Sequence, residues 1–148
     1  HLSDRRQRQM CIRDRKITKT KLFGGGHIEV VMAGDYFDDC LAEAMNFSKN
    51  RDAYFISPFD DENVIEGQAT VAAEIEAQLG RVPDVIIMPV GGGGLSSGIV
   101  SYFGMETTYF LVEPHGAASL SAAMSAGKPM KLDKIDNFAD GASVAKIG

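Results

Sequence analysis

The chain has 148 residues, 45% of them hydrophobic, and a formal net charge of −5, which fits one domain or a piece of one with ample apolar material for a core. No apolar run approaches the roughly 18 residues of a membrane helix, and the acidic balance speaks against nucleic acid as a partner. Two cysteines, Cys11 and Cys40, argue against a disulfide framework and fit a reducing cytoplasm.

The charge is uneven. Residues 1–15 hold five Arg and two Asp, a local +3 that leaves −8 for the remainder. This lead has no apolar h-region and carries acids, so neither a secretory signal nor a transit peptide fits. It reads as foreign or disordered and stands outside the fold.

Beyond it, Ile28–Met32 is a β-branched run between Gly24–Gly26 and Gly34 and predicts a strand. Asp35 is a plausible N-cap for a helix to about Lys49, with Phe37, Leu41, Ala44, Met45 and Phe47 near helical spacing. Ala53–Ile56 predicts a second strand, stopped by Pro58. Asp60–Asn63 opens a helix with acids where the dipole favours them, and Gly80 is its natural C-cap. Val85–Val90 reads as a buried strand, Leu95–Phe103 as a short helix, Thr108–Val112 as a fourth strand and Ser119–Ser125 as a fourth helix. The tail from Lys131 shows little periodicity. Strands alternating with helices predict an α/β fold, a parallel sheet with flanking helices. The 17 residues between Val90 and Thr108 suffice for a crossover.

Gly91–Gly94 stand between strand and helix. Strand, glycine turn and helix is how α/β proteins build an anion cradle: glycines let the backbone curl with its N–H groups inward, and the helix N-terminus adds partial positive charge. No Arg or Lys adjoins the run, so main-chain amides must supply the attraction. A nucleotide P-loop needs Gly-Lys-Ser/Thr, but Leu95-Ser96-Ser97 follow Gly94. A dinucleotide fingerprint fails because Ser96 or Ser97 takes its last glycine position. Gly94-Leu95-Ser96-Ser97-Gly98 does satisfy the nucleophile-elbow pattern, with Ser96 as nucleophile, His115 as base and Glu106 or Glu113 as acid. A turn without a ligand is the plainest alternative, although four glycines lose much entropy on folding.

Val90 through Gly98 resembles the phosphate loop of the pyridoxal-phosphate enzymes of the tryptophan-synthase-β fold type, and more narrowly their threonine/serine dehydratase branch. Pro58–Thr70 is similar to that branch's aspartate-rich helix start followed by Gly-Gln-Gly-Thr, with Ala69 in place of one glycine. Val112-Glu113-Pro114 and Ala139-Asp140-Gly141 resemble its Val-Glu-Pro and Ala-Asp-Gly elements. Lys16–Lys21 and the Gly24–Gly34 segment look like the approach to its small-domain strand.

The resemblance implies an incomplete fold of that type: residues 16–57 as part of the small domain, 58–148 as part of the cofactor domain. It implies pyridoxal 5′-phosphate held by Gly91, Gly92, Gly93, Gly94 and Leu95, and deamination of L-threonine or L-serine to a 2-oxo acid and ammonia. The whole enzyme would be a cytoplasmic homo-oligomer acting on a small amino acid in isoleucine biosynthesis, with no nucleic-acid or membrane partner. The family's Ser-x-Lys-x-Arg-Gly-Ala-like lysine motif and Ser-x-Gly-Asn-His-like substrate loop do not occur in this sequence. The chain therefore reads as an internal fragment without dehydratase activity of its own. A serine racemase or another amino-acid lyase is the nearest alternative, and a non-catalytic phosphate-binding module the one from another class.

Serine racemases of the family hold a divalent cation on the Glu-Pro glutamate and on groups four and six residues later. The implied positions are Glu113, the carbonyl of Ala117, and Ser119 where an acid is usual. Losing a carboxylate weakens such a site, and a strand-end glutamate making local hydrogen bonds is the alternative. Asp60-Asp61-Glu62 is read as dipole stabilisation rather than a cation site. Gln68 and Thr70 belong to a helix expected to pack near the glycines.

Overall fold

A computed structural model of the chain describes residues 14–33 and 37–148. The foreign or disordered lead is, but for its last two residues, outside that range, as is the Asp35 cap. The chain divides into two compact units, His1–Asp35 and Tyr36–Gly148.

In the first unit residues 14–24 form helix α1, followed by a 3-10 turn, Gly25–His27. The expected strand Ile28–Met32 is not one: residues 28–33 carry no ladder. Ile28 folds back over Gly24, where a Cβ would overlap its side chain. β-branched residues favour extended backbone, but a strand exists only when a neighbour takes its hydrogen bonds.

The second unit begins with α2, Phe37–Arg51. Asp52 leaves it in the left-handed region at φ 51°, and the Ala53 N–H donates to the Ser48 carbonyl at 3.1 Å. The expected strand Ala53–Ile56 is likewise unpaired. α3 runs Glu62–Leu79. Asp61 caps it, Oδ1 accepting from the N–H of Asn63 at 3.0 Å and of Val64 at 3.2 Å. Gly80, at φ 69°, closes it, its N–H donating to the Glu76 carbonyl.

The sheet holds two strands among the described residues, not four: β1, Val85–Pro89, and β2, Thr108–Val112. They are parallel, in register from Val85 opposite Thr108 to Pro89 opposite Val112. α4, Gly94–Phe103, is the crossover between them, as parallel neighbours require. Ala72, Met88, Ile99 and Phe103 form the core, joined by Ile75, Ile86 and Tyr109. Alternation assigns the faces: Met88 is 5% exposed, while Ile87 is 71% and Phe110 56% exposed on the opposite side. α3 and α4 cross so closely that a Cβ on Gly98 would lie 2.7 Å from the Ile65 carbonyl oxygen and the Ala69 nitrogen. The Glu76 carboxylate ties the pair, accepting from the Tyr102 hydroxyl at 2.8 Å.

After β2 come a 3-10 turn, His115–Ala117, and α5, Ser119–Ala126, closed by Gly127 at φ 67°. The aperiodic tail is not idle. Val144, Ala145 and Ile147 are buried, and a 3-10 segment, Asn137–Ala142, precedes them.

The Asp61 cap predicts a pH dependence. The Val64 N–H foremost, then the Tyr54 hydroxyl and the Asn63 N–H, outweigh partial desolvation and hold the Asp61 carboxyl below the usual carboxylate range. A group whose pKa is depressed by folding stabilises the fold above its unfolded pKa, about 3.9 for Asp, and that contribution disappears as pH falls through the folded value. Asp61→Asn keeps a capping oxygen and removes the charge. The wild-type chain should therefore unfold at a higher temperature than Asp61→Asn at pH 7, and the gap should close below about pH 4. A gap that does not narrow at all as pH falls below about 4 would contradict this account.

Candidate functional site

β1 ends at Pro89, and the Val90 N–H still reaches across to the Val112 carbonyl at 2.9 Å. The chain then turns through Gly91–Gly93 into α4. Gly93 sits at φ 100°, a conformation in which a side chain is strained. Among the described residues, none of the N–H groups of Gly91, Gly92, Gly93, Gly94 and Leu95 donates to a protein acceptor. The first helical N–H groups have no partner within their own helix, and here the turn adds more donors with none.

Both flanks of the turn are filled. A Cβ on Gly92 would overlap the Phe59 ring, and one on Gly94 would come within 3.0 Å of Phe59 Cα and 3.2 Å of its carbonyl oxygen. On Gly91 it would meet Ala142 Cα at 3.2 Å, and on Gly93 it would meet Ile147 Cγ1 at 3.3 Å. The Gly148 N–H donates to the Gly92 carbonyl at 3.1 Å. A cavity of about 490 Å³ opens beside Gly92 and Gly93, and Ser96, Ser97, Asp60 and Lys128 are among the residues that line it. Amides without an acceptor among the described residues, the N-terminus of a ten-residue helix and an adjoining space fit a phosphate ester.

The structure thus brings together all five loop residues named from sequence. It adds Phe59, Ile147 and Lys128, to which sequence reasoning gave no role at the loop: Phe59 precedes it by more than 30 residues inside the Pro58–Thr70 motif, Lys128 follows α5, and Ile147 lies in the aperiodic tail.

The elbow alternative finds no support. Ser96 is 7% exposed, and its hydroxyl donates to the Gly93 carbonyl at 2.9 Å. A nucleophile must present that oxygen instead.

Glu113 has a local occupation. Its Oε1 accepts from the Leu120 N–H at 2.7 Å and its Oε2 from the Ser121 N–H at 2.9 Å, so both oxygens cap α5. Ala117 and Ser119 are buried beside this cap, and Ser119 Oγ has no hydrogen-bond partner among the described residues. No group of three or more His, Cys, Asp or Glu among the described residues is arranged to hold a metal ion. The local hydrogen-bonding alternative for Glu113 accounts for the geometry.

The chain is similar to known proteins. The biosynthetic L-threonine dehydratase of Lactococcus lactis subsp. lactis is 47% identical over 141 residues, 91% of this chain and 34% of that protein. Its Bacillus subtilis counterpart is 43% identical over 136 residues, 90% of this chain and 32% of that protein. The chain thus spans about a third of the length of the curated relatives it matches. The processed form of threonine deaminase isoform 2 from Solanum lycopersicum superposes with a TM-score of 0.80 at 38% identity, over 91% of this chain and 39% of that one. Maize serine racemase gives 0.75 at 27% identity, over 90% of this chain and 40% of that one. The family model described as pyridoxal-phosphate dependent enzyme matches residues 9–148. Since that stretch contains the whole strand–glycine–helix unit and both of its flanks, the chain belongs to the pyridoxal-phosphate dependent enzyme family.

Proposed function

We propose that Gly91, Gly92, Gly93, Gly94 and Leu95 grip the phosphate of pyridoxal 5′-phosphate through their main-chain amides. We propose further that the whole protein deaminates L-threonine, and L-serine, to a 2-oxo acid and ammonia. The observation that carries the reading is the set of five amides without acceptors among the described residues at the N-terminus of α4. The names of the dehydratase relatives support the reaction, and their word "biosynthetic" supports a place in amino-acid synthesis, as for isoleucine. Serine racemase is the weaker reading, since its likeness is 27% identical against 47% for a dehydratase.

Bound pyridoxal phosphate supplies an electron sink for the loss of an amino acid's α-proton and β-hydroxyl. This chain's part is to hold. The amides fix the phosphate, and a fixed phosphate orients the ring. Residues 58–148 form part of the cofactor domain in this reading and 16–57 part of the small domain. A divalent cation is not included, because both Glu113 oxygens are engaged in capping α5. The whole enzyme is read as a cytoplasmic homo-oligomer.

The test uses pyridoxine 5′-phosphate, which has the ring and phosphate but no aldehyde to react with surface lysines. Titrated into the 148-residue chain, it should saturably shift the Gly91–Leu95 amide resonances, while the chain forms no 2-oxobutanoate from L-threonine. Unmoved loop amides would overturn the phosphate assignment. 2-Oxobutanoate formation would overturn the claim that the chain lacks its own lysine for the reaction.

A further inference from the structure

We infer that Phe59 is a positioning residue for the phosphate grip: its ring, packed against Gly92, keeps the loop amides converging on one point. The inference rests on the proposed phosphate reading and adds a residue to it.

The geometry that points to Phe59 is steric. The ring occupies the volume a Cβ would need on Gly92, and the Phe59 main chain lies against Gly94. Phe59 meets the loop at two residues, and Ala142 at Gly91 and Ile147 at Gly93 meet it at two more. The loop is therefore packed against protein at each of its four glycines. A tetraglycine segment has no side chains with which to hold its own shape and would otherwise sample many conformations. Something outside it must select one.

Phe59 is itself held. The Asp60 N–H donates to Ser57 Oγ at 3.0 Å. Asp61 caps α3 and accepts from the Tyr54 hydroxyl at 3.1 Å. A half-buried ring on such an anchored turn is a rigid wall. Phe59 also borders the cavity beside Gly92 and Gly93, so its position bears on the anion through the loop.

The experiment compares wild type, Phe59→Leu and Phe59→Tyr in the 148-residue chain. Affinity is measured with pyridoxine 5′-phosphate and with inorganic phosphate, and amide hydrogen exchange is followed in the loop and in the α3 interior. Phe59→Leu should weaken both ligands by on the order of 10- to 100-fold, since small misplacement of binding groups has effects of that size. It should speed exchange at Gly91–Leu95 without a matching rise within α3, and Phe59→Tyr, which keeps the flat ring, should restore both. Wild type that binds neither ligand sinks the phosphate reading itself. Wild type that binds, with Phe59→Leu binding within twofold of it, overturns the role of Phe59 alone. Uniformly faster exchange with unchanged affinity also overturns it, because the ring would then serve only global stability. If Phe59→Leu does not fold, Phe59→Met, of similar reach but without a flat face, decides by the same readouts.

Discussion

Gly92→Ala should reduce affinity for pyridoxine 5′-phosphate by on the order of 100-fold or more. The added methyl would overlap the Phe59 ring. Either the ring leaves, or the turn moves and carries the amides of Gly92 and Gly93 with it. Amide donors act only at hydrogen-bonding distance and alignment, so a displacement near 1 Å removes several bonds to the anion together. Gly67→Ala is the control. Gly67 lies within α3, and a Cβ there would meet nothing within 4 Å. Its affinity should equal that of wild type. Gly92→Ala with unaltered affinity would show that the anion does not depend on the shape of this turn.

Gly98→Ala should destabilise the chain, and Gly67→Ala should do the reverse. Alanine favours a helix over glycine by about 1 kcal/mol, a gain available at both positions. At Gly98 a larger cost opposes it. Both contacts at 2.7 Å are to the α3 backbone, the Ile65 carbonyl oxygen and the Ala69 nitrogen, with the Gln68 carbonyl carbon at 3.0 Å. Backbone cannot rotate aside, so α3 and α4 must separate and loosen the core around Ala72 and Ile99. Overpacking of this kind costs about 3 kcal/mol at the upper end, which leaves a net loss of about 2 kcal/mol and a melting temperature lower by roughly 4–8 °C. Gly67→Ala should raise stability by about 1 kcal/mol. Thermal unfolding of the two variants side by side checks the sign of each. Equal stabilisation by both would mean that the close crossing is absent in solution.

What was legible in the sequence was local. The acid-rich start at Asp60–Asn63 and the stop at Gly80 mark α3 from within one turn of its ends, and the structure adds that Asp61 is the residue that caps it. β1, the glycine turn, α4 and β2 follow in unbroken order, and each carries its own signal. The turn from Gly91 into α4 was readable for the same reason. The failures share a different cause. Ile28–Met32 and Ala53–Ile56 have strand composition, yet a ladder needs a distant partner that composition does not name. Phe59 meets Gly92, and Ile147 meets Gly93, across separations at which no periodicity operates. Glu113 shows the limit of spacing: a carboxylate at the right interval for a cation is spent instead on two N–H groups of α5.

The five proposed grips at the turn are peptide groups, and a peptide group neither gains nor loses a proton in ordinary buffers. A holder made of them keeps its attraction unchanged from mildly acid to mildly alkaline solution. Any variation of its hold with acidity then originates in the guest, whose phosphoryl group passes from dianion to monoanion near pH 6.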